Sequence, residues 1–183
     1  FVLLGRFFII LFGDNPMTAA KAVNIMSALS SGFTILFLFW TITHFARRIV
    51  HTDLTKALTT SQIWTIMGAG IVGALAYTFS DSFWYSAVEG EVYAMSSFFT
   101  ALVFWAILKW ERVKTDPTSD RWIVFIAYII GLGIGLHLLN LLVIPAIVFY
   151  YFVNKYTPSR TNIFKAAAIG LGSIALLQWV VIP

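Results

Sequence analysis

Carboxylate and aromatic side chains are concentrated in one short stretch of this sequence, between Ser80 and Tyr93. It contains Asp81, Glu89 and Glu91. A carboxylate held against a hydroxyl group can remove its proton, which is general base catalysis. On one continuous helix, two residues two positions apart point about 200° away from each other. We therefore do not expect the two glutamates to act as a pair. Glu91 is our first candidate for a catalytic carboxylate and Asp81 the second.

The same stretch also has a purely structural interpretation. The glutamates could lie among lipid headgroups, where the start of a helix stabilises negative charge. Asp81, together with Ser80 and Ser82, could cap the helix that follows. Trp84 and Tyr85 would then be interfacial anchors. The residues alone leave both interpretations open.

A second polar position interrupts the apolar run from Trp122 to Val153. His137 and Asn140 are three residues apart, so on a helix they would be neighbours on one face. They either bind a ligand or satisfy backbone groups that a helix break sets free. One His and one Asn are too few for a metal site, so none is predicted here and no cofactor is assigned. The glycines at 131, 133 and 135 follow no strand, so they favour helix packing over nucleotide binding.

Membrane helices must position these residues. The chain is 60% apolar and only 11% charged, which is outside the range of soluble domains. A bilayer core of about 30 Å requires about 20 apolar residues in a helix, and no alternating pattern suggests a barrel. We predict an all-α, polytopic transmembrane bundle. The lack of cysteine excludes a disulfide framework and a thiolate nucleophile.

The apolar runs predict about six membrane segments within one transmembrane domain. Residues 1–13 form an interfacial helix, since about twelve residues rise only about 18 Å. The spans are predicted at 17–46, 61–79, 88–110, 121–136, 138–154 and 162–183. A polar loop is expected from Lys109 to Arg121. The chain lacks an initiator Met and ends after an apolar run, so we interpret it as an internal fragment of a longer protein.

The charges sort by predicted side of the membrane. Basic clusters at Arg47–Lys56, Lys109–Arg121 and Lys155–Lys165 flank the spans and predict cytoplasmic ends. Two crossings must therefore connect the last two clusters, which makes 121–136 and 138–154 a short hairpin. The opposite face receives Asp14, Asp81, Glu89, Glu91, His137 and Asn140, with Arg6 and Lys21 as its basic residues. The net charge of +4 comes without a basic face, so no nucleic-acid partner is expected.

Two runs in the chain resemble a known family. The run from Phe83 to Ala94, with its Glu-Val-Tyr element, and the Gly-rich run from Gly131 to His137 are similar to a bacterial branch of the GT-C membrane glycosyltransferases. That branch, catalogued as a domain of unknown function, is related to transmembrane protein O-mannosyltransferases. The opening Phe1–Phe8 is similar to the segment after a His-Pro-Pro-Gly-like motif of that family. The resemblance covers most of the chain.

The resemblance implies an enzyme of the bacterial cytoplasmic (inner) membrane. It would move a sugar from a polyprenyl-phosphate carrier to an acceptor, such as a protein hydroxyl or a glycan, on the periplasmic face. It implies that Glu91, Tyr93 and His137 lie near the lipid-phosphate or acceptor cavity. It also implies that the main catalytic carboxylate lies in an outer loop before Phe1. A larger membrane complex is a further expected partner.

The chemistry of such a transfer adds roles for the remaining candidates. An inverting transfer needs a base for the acceptor and positive groups for the leaving phosphate. Arg6 and Lys21 are expected to contact that phosphate, and His137 to donate a hydrogen bond to it. The other candidate binding residues are Glu89, Trp84 and Asn140. The requirement for a divalent ion is left open.

Two other functions fit the same pattern of spans. A transporter would share the broken span and its polar residues, but the sequence shows no internal repeat and no charge at mid-span depth. A non-catalytic scaffold subunit would keep the helices without the chemistry.

Overall fold

A computed structural model describes residues 1–13, 15–51, 57–157 and 159–181. All regular structure in these ranges is helical, which confirms the all-α prediction. Asp14 and Lys56, which the sequence predicts on opposite faces of the membrane, lie outside these ranges. The helices are α1 Val2–Phe12, α2 Pro16–Val50, α3 Thr60–Thr78, α4 Asp81–Val88, α5 Val92–Val113, α6 Asp120–Leu136, α7 Val143–Lys155 and α8 Arg160–Leu176. A 3₁₀ turn covers Leu138–Leu142, and a π-helical turn covers Leu177–Val181.

Among the described residues, four helical segments are long and apolar enough to cross a bilayer. They are Pro16–Val50, Val92–Val113, Leu138–Lys155 and Arg160–Trp179. The α3–α4 pair forms a fifth candidate, although it is bent by 69°. Helix α6 has only 17 residues, which is about 25 Å and shorter than the usual crossing. The predicted total of six segments therefore stays a prediction.

The third predicted span, 88–110, begins in the wrong place. Helix α4 ends at Val88 and α5 begins at Val92, so the residues between them are not helical. Glycine is a poor helix former, and Gly90 lies at the centre of this break. At the other end, α5 continues to Val113, beyond the predicted limit.

Local capping explains where the long helix α2 begins. The side chain of Asn15 accepts hydrogen bonds from the backbone N–H groups of Met17 (3.1 Å) and Thr18 (3.0 Å). The Thr18 hydroxyl oxygen accepts one in return from the N–H of Asn15 at 3.0 Å. Pro16 occupies the first helical position, where its missing N–H costs nothing.

The chain divides into two compact units, Phe1–Trp105 and Ala106–Pro183. In unit 1, α3 packs antiparallel to α2. The Gln62 amide donates to the carbonyl of Val50 at 3.1 Å, and a Cβ at Gly70 would lie 2.5 Å from the Thr43 methyl group. Close contact between these helices thus depends on Gly70. The prediction of a single transmembrane domain stays a prediction.

Helix α5 runs in the same direction as α2 within unit 1. Near its beginning, the ring of Phe98 lies 6.1 Å from that of Phe33. Further along, Trp105 lies 5.2 Å from Phe37 and 6.0 Å from Trp40. The start of α5 therefore lies at the end of unit 1 that holds the start of α2.

Unit 2 contains the α7–α8 hairpin. A Cβ at Gly170 would lie 2.9 Å from the Cα of Pro145, so the two backbones are in close contact there. The end of α5 packs on α7, where the rings of Trp110 and Tyr151 are 4.9 Å apart. These contacts position the break between α6 and α7 described below.

Candidate functional site

The bend between α3 and α4 is fixed by aromatic packing. Phe83 is 5% exposed, and its ring lies 4.5 Å from that of Tyr77. The Ser80 hydroxyl donates to the Tyr77 carbonyl at 2.7 Å and makes no side-chain cap on α4. Asp81 is the first residue of α4, in the first turn, where its negative charge is stabilised. The interpretation of Ser80 and Asp81 as side-chain caps is therefore wrong.

The backbone between α4 and α5 carries the two glutamates. Glu89 is extended, with φ −95° and ψ 143°, and α5 starts only at Val92. Glu89 and Glu91 are both exposed. The expectation that they point about 200° apart on a helix is wrong, because neither residue is helical.

Gly90, between these glutamates, lies directly against helix α2. A Cβ on Gly90 would be 3.0 Å from Val23 Cγ1 and 3.1 Å from Asn24 Oδ1. The other methyl group of Val23 would be 4.0 Å from a Cβ on Gly5 of helix α1. Val23 thus connects α1 with the break between α4 and α5. We call Gly5, Val23, Asn24 and residues 89–91 the Gly90 junction.

Some of the predicted site residues lie in the Gly90 junction or directly next to it in the sequence. Glu89 and Glu91 belong to it, and Arg6 follows Gly5 directly in α1. Tyr93 lies in the first turn of α5 and is 45% exposed.

Other candidates lie farther from the junction. Trp84 is on α4, where its ring stacks on that of Phe79 at 6.0 Å. Asp81 is at the far end of α4, eight residues or about 12 Å away. Lys21 precedes Val23 by two residues, so it points about 200° away from the contact that Val23 makes. Helix α1, which carries Arg6, contacts α2 at Val23, and Lys21 is not on that face of α2.

Two basic residues of α2 lie at the opposite end of unit 1. Arg47 and Arg48 are in the last turn of the helix. The rise along α2 separates Arg47 from Val23 by about 36 Å. This separation agrees with the predicted sorting of charges within unit 1, while the orientation in the membrane stays a prediction.

The break in unit 2 uses its polar side chains on its own backbone. His137 is extended, with φ −156° and ψ 134°, and its Nδ1 accepts from the N–H of Leu139 at 3.1 Å. Asn140 is 2% exposed, and its amide donates to the Gly133 carbonyl at 2.7 Å. The helical-face arrangement expected for this pair is wrong, because His137 is not helical. The His137 side chain satisfies the freed N–H of Leu139, as the structural interpretation predicts. Asn140 adds a second donor to the Gly133 carbonyl, which already accepts from the His137 N–H at 3.0 Å. Binding roles for both side chains stay predictions.

Comparison with known proteins identifies the family. A family model described as "Protein O-mannosyl-transferase TMEM260 N-terminal domain" matches residues 1–160. The chain belongs to this family. A curated relative, "Protein O-mannosyl-transferase tmem260" of Dictyostelium discoideum, is 24% identical over 164 residues, covering 84% of this chain. The chain covers only 18% of that relative's length. No solved structure matches this chain.

The TMEM260 N-terminal family match includes both helix breaks. It covers the Gly90 junction and His137, and it ends where α8 begins. The predicted relation to O-mannosyltransferases is confirmed at the level of the family. Within the ranges that the structure describes, no three His, Asp or Glu side chains gather in a way that could hold a metal ion.

One polar cluster in this family member was missed by the sequence analysis. Glu111, placed in the predicted polar loop, is in α5 and only 7% exposed. Its carboxylate accepts a hydrogen bond from the Tyr150 hydroxyl at 2.7 Å. Lys114 donates to the side chain of Asn154 at 3.0 Å. The signal in the sequence was the pair Tyr150 and Asn154, one helical turn apart on α7.

Proposed function

We propose that the protein is part of a membrane glycosyltransferase of the GT-C type in the bacterial inner membrane. It moves a sugar, mannose, from a polyprenyl-phosphate carrier to a hydroxyl group of an acceptor on the extracytoplasmic face. The observation that carries the proposal is membership of the TMEM260 N-terminal family over residues 1–160. The O-mannosyl-transferase name of the relative supports the choice of sugar and acceptor.

The Gly90 junction supports this chemistry through the groups it assembles. Glu89 and Glu91 are exposed on irregular backbone, so an acceptor can reach them. Glu91 contacts the acceptor hydroxyl, either as the base or by orienting it for a carboxylate elsewhere in the whole protein. Arg6 lies on the neighbouring helix and neutralises the charge that develops on the leaving phosphate. Asp81, at the far end of α4, is the second candidate carboxylate.

The other candidates have accessory roles in the proposal. Trp84 and Tyr93 present exposed aromatic surfaces to the sugar or the prenyl chain. Since Nδ1 of His137 accepts a hydrogen bond, the neutral ring carries its proton on Nε2 and donates from there. Lys21 and Asn140 are proposed to stabilise the lipid phosphate and the break at His137, respectively.

The direct test is sugar transfer by the full-length protein in proteoliposomes. Radiolabelled polyprenyl-phosphate mannose is the donor, and label in a protein acceptor is the readout. We expect transfer by the wild type. Arg6→Gln should raise the KM for the donor about tenfold, as expected for loss of one charged contact worth about 1.4 kcal/mol. Arg47→Gln, which removes a charge at the opposite end of α2, is the matched control and should leave KM unchanged.

The alternative functions give different results in the same vesicles. Movement of mannose across the bilayer without transfer to protein would favour a transporter. Neither transfer nor movement, with a stable protein, would favour a scaffold subunit. Repeating the assay with EDTA determines whether a divalent ion is required.

A further inference from the structure

An apolar groove lies between α7 and α8, away from the Gly90 junction in sequence. Phe149, Phe152 and Val153 of α7, with Tyr156 directly after it, form one wall, while Ile163 and Ala166 line the α8 side. The groove is shallow and open on one side, with an enclosed space of about 10 Å³. Phe149, Phe152 and Val153 recur at the spacing of one helical face. This groove is therefore a continuous feature of the hairpin.

The wall of the groove contains two aromatic rings in contact and is accessible from outside. The rings of Phe152 and Tyr156 lie 5.1 Å apart at an angle of 37°. Phe149, Val153 and Tyr156 are between 43% and 49% exposed, whereas Ala166 forms a floor that is only 1% exposed. Hydrocarbon can therefore lie against the aromatic rings.

The polar atoms beside the groove are engaged within the protein. The Asn162 side-chain amide donates to the Thr157 carbonyl at 2.9 Å. The backbone N–H of Asn162 donates to the Ser159 hydroxyl oxygen at 3.2 Å. With these groups engaged, the groove offers a hydrocarbon surface and few partners for a sugar.

Positive charge surrounds the end of the groove. Lys155 is the last residue of α7, Arg160 is the first of α8, and both are exposed. Lys165 follows on α8. From Arg121 to Pro183 the sequence contains no Asp or Glu, so no carboxylate of the α7–α8 hairpin neutralises these cations. Cations next to a membrane helix attract anionic lipid headgroups.

We propose that the α7–α8 groove binds an anionic phospholipid. A segment of one acyl chain lies against the aromatic wall, and the phosphate lies beside Lys155 and Arg160. The first turn of α8 adds backbone N–H groups that favour an anion. This proposal does not depend on the proposed transferase chemistry.

Native mass spectrometry of the full-length protein in detergent tests this site. The probes are dioleoyl phosphatidylglycerol and dioleoyl phosphatidylcholine at equal concentration. We expect one phosphatidylglycerol retained per protein, and little phosphatidylcholine. Lys155→Gln with Arg160→Gln should weaken retention at least tenfold. The matched control, Arg47→Gln with Arg121→Gln, removes the same charge elsewhere and should change retention less than twofold.

A second pair of variants tests the hydrocarbon part. Val153→Trp fills the groove without changing charge and should weaken retention severalfold. Val124→Trp, at a 69% exposed position on α6, is its control and should have no effect. Lys155→Gln alone covers the case in which the double variant fails to fold, and it should weaken retention about threefold.

Three results would overturn the proposal. One is equal loss of retention in the double variant and its charge-matched control, which would indicate general surface attraction. Another is unchanged retention in Val153→Trp, which would exclude the groove. The third is preferential retention of undecaprenyl phosphate over phosphatidylglycerol, which would make this a carrier-lipid site.

Discussion

The break at residues 89–91 and the break at His137 both interrupt apolar segments, but their polar side chains do different things. At His137 the imidazole accepts from the Leu139 N–H, and Asn140 donates to the Gly133 carbonyl. At the Gly90 junction the backbone is held by close packing against Val23, and the glutamates are exposed. Unit 2 therefore uses polar groups to close its break, whereas unit 1 leaves carboxylates accessible.

This difference separates two reasons for placing a polar residue in a membrane helix. A broken helix leaves backbone groups without partners, and in an apolar environment each of them must find one. His137 fulfils that requirement for the N–H of Leu139, and beside it Asn140 is buried with its amide on the Gly133 carbonyl. The side chains of Glu89 and Glu91, by contrast, are exposed. Their exposure makes them the better candidates for contact with substrate.

The largest expected effect concerns the exposed carboxylate. Glu91→Gln should lower the rate of sugar transfer at least a hundredfold, since loss of a general base typically costs two to four orders of magnitude. The thermal unfolding midpoint in detergent should stay the same. The matched control is Glu111→Gln, which should retain transfer but unfold at a lower temperature, because Glu111 is buried against Tyr150. Equal loss of transfer in both variants would remove the distinction between the two carboxylates.

The next effect is on stability and comes from the break in unit 2. Asn140→Ala removes the donor to the Gly133 carbonyl and should cost about 2 kcal/mol of unfolding free energy. Asn24→Ala, at an exposed position in α2, should cost much less. Unfolding monitored by circular dichroism measures both variants. A binding role for Asn140 would instead appear as lost transfer without lost stability.

The close packing of the Gly90 junction predicts a smaller loss of unfolding free energy than the one expected for Asn140→Ala. Gly90→Ala places a methyl group 3.0 Å from Val23, and we expect a loss of about 1.5 kcal/mol together with reduced transfer. Val23→Ala should restore part of both, because it removes the Val23 methyl group and leaves only the contact with the flexible Asn24 side chain. Gly131→Ala is the control, since a Cβ there meets nothing within 4 Å. Additive losses in the Gly90→Ala, Val23→Ala double variant would disprove the contact.

The smallest effect distinguishes capping from binding at His137. His137→Ala should cost about 1 kcal/mol, which is typical of a lost side-chain cap. His137→Asn should restore the stability, because an Asn side chain also accepts from a backbone N–H. If transfer returns together with stability, the role of His137 is structural. If transfer stays low in a stable His137→Asn protein, the imidazole contacts substrate.

Much of the fold follows from the sequence because apolar length and helix caps are local properties. Helix α2 begins at Pro16, one residue before the predicted limit of the first span, because its Asn15 cap is local. The spans predicted at 121–136 and 138–154 correspond to α6, Asp120–Leu136, and to the 3₁₀ turn with α7, which together end at Lys155. The start of the third span was missed, because hydropathy alone does not register one glycine with a close neighbour in another helix. The burial of Glu111 was missed because its partner, Tyr150, lies on a different helix.

The sequence by itself determined the helical class, the apolar segments and the separation of basic from acidic positions, since each depends on residue type and spacing along the chain. Only the tertiary structure decided which polar groups are engaged. It placed the Asn140 amide on a backbone carbonyl, packed Gly90 against Val23, and left Glu89 and Glu91 exposed. The physical reason is that burial and hydrogen bonding depend on what the neighbouring helix presents, and this is not encoded within any one segment.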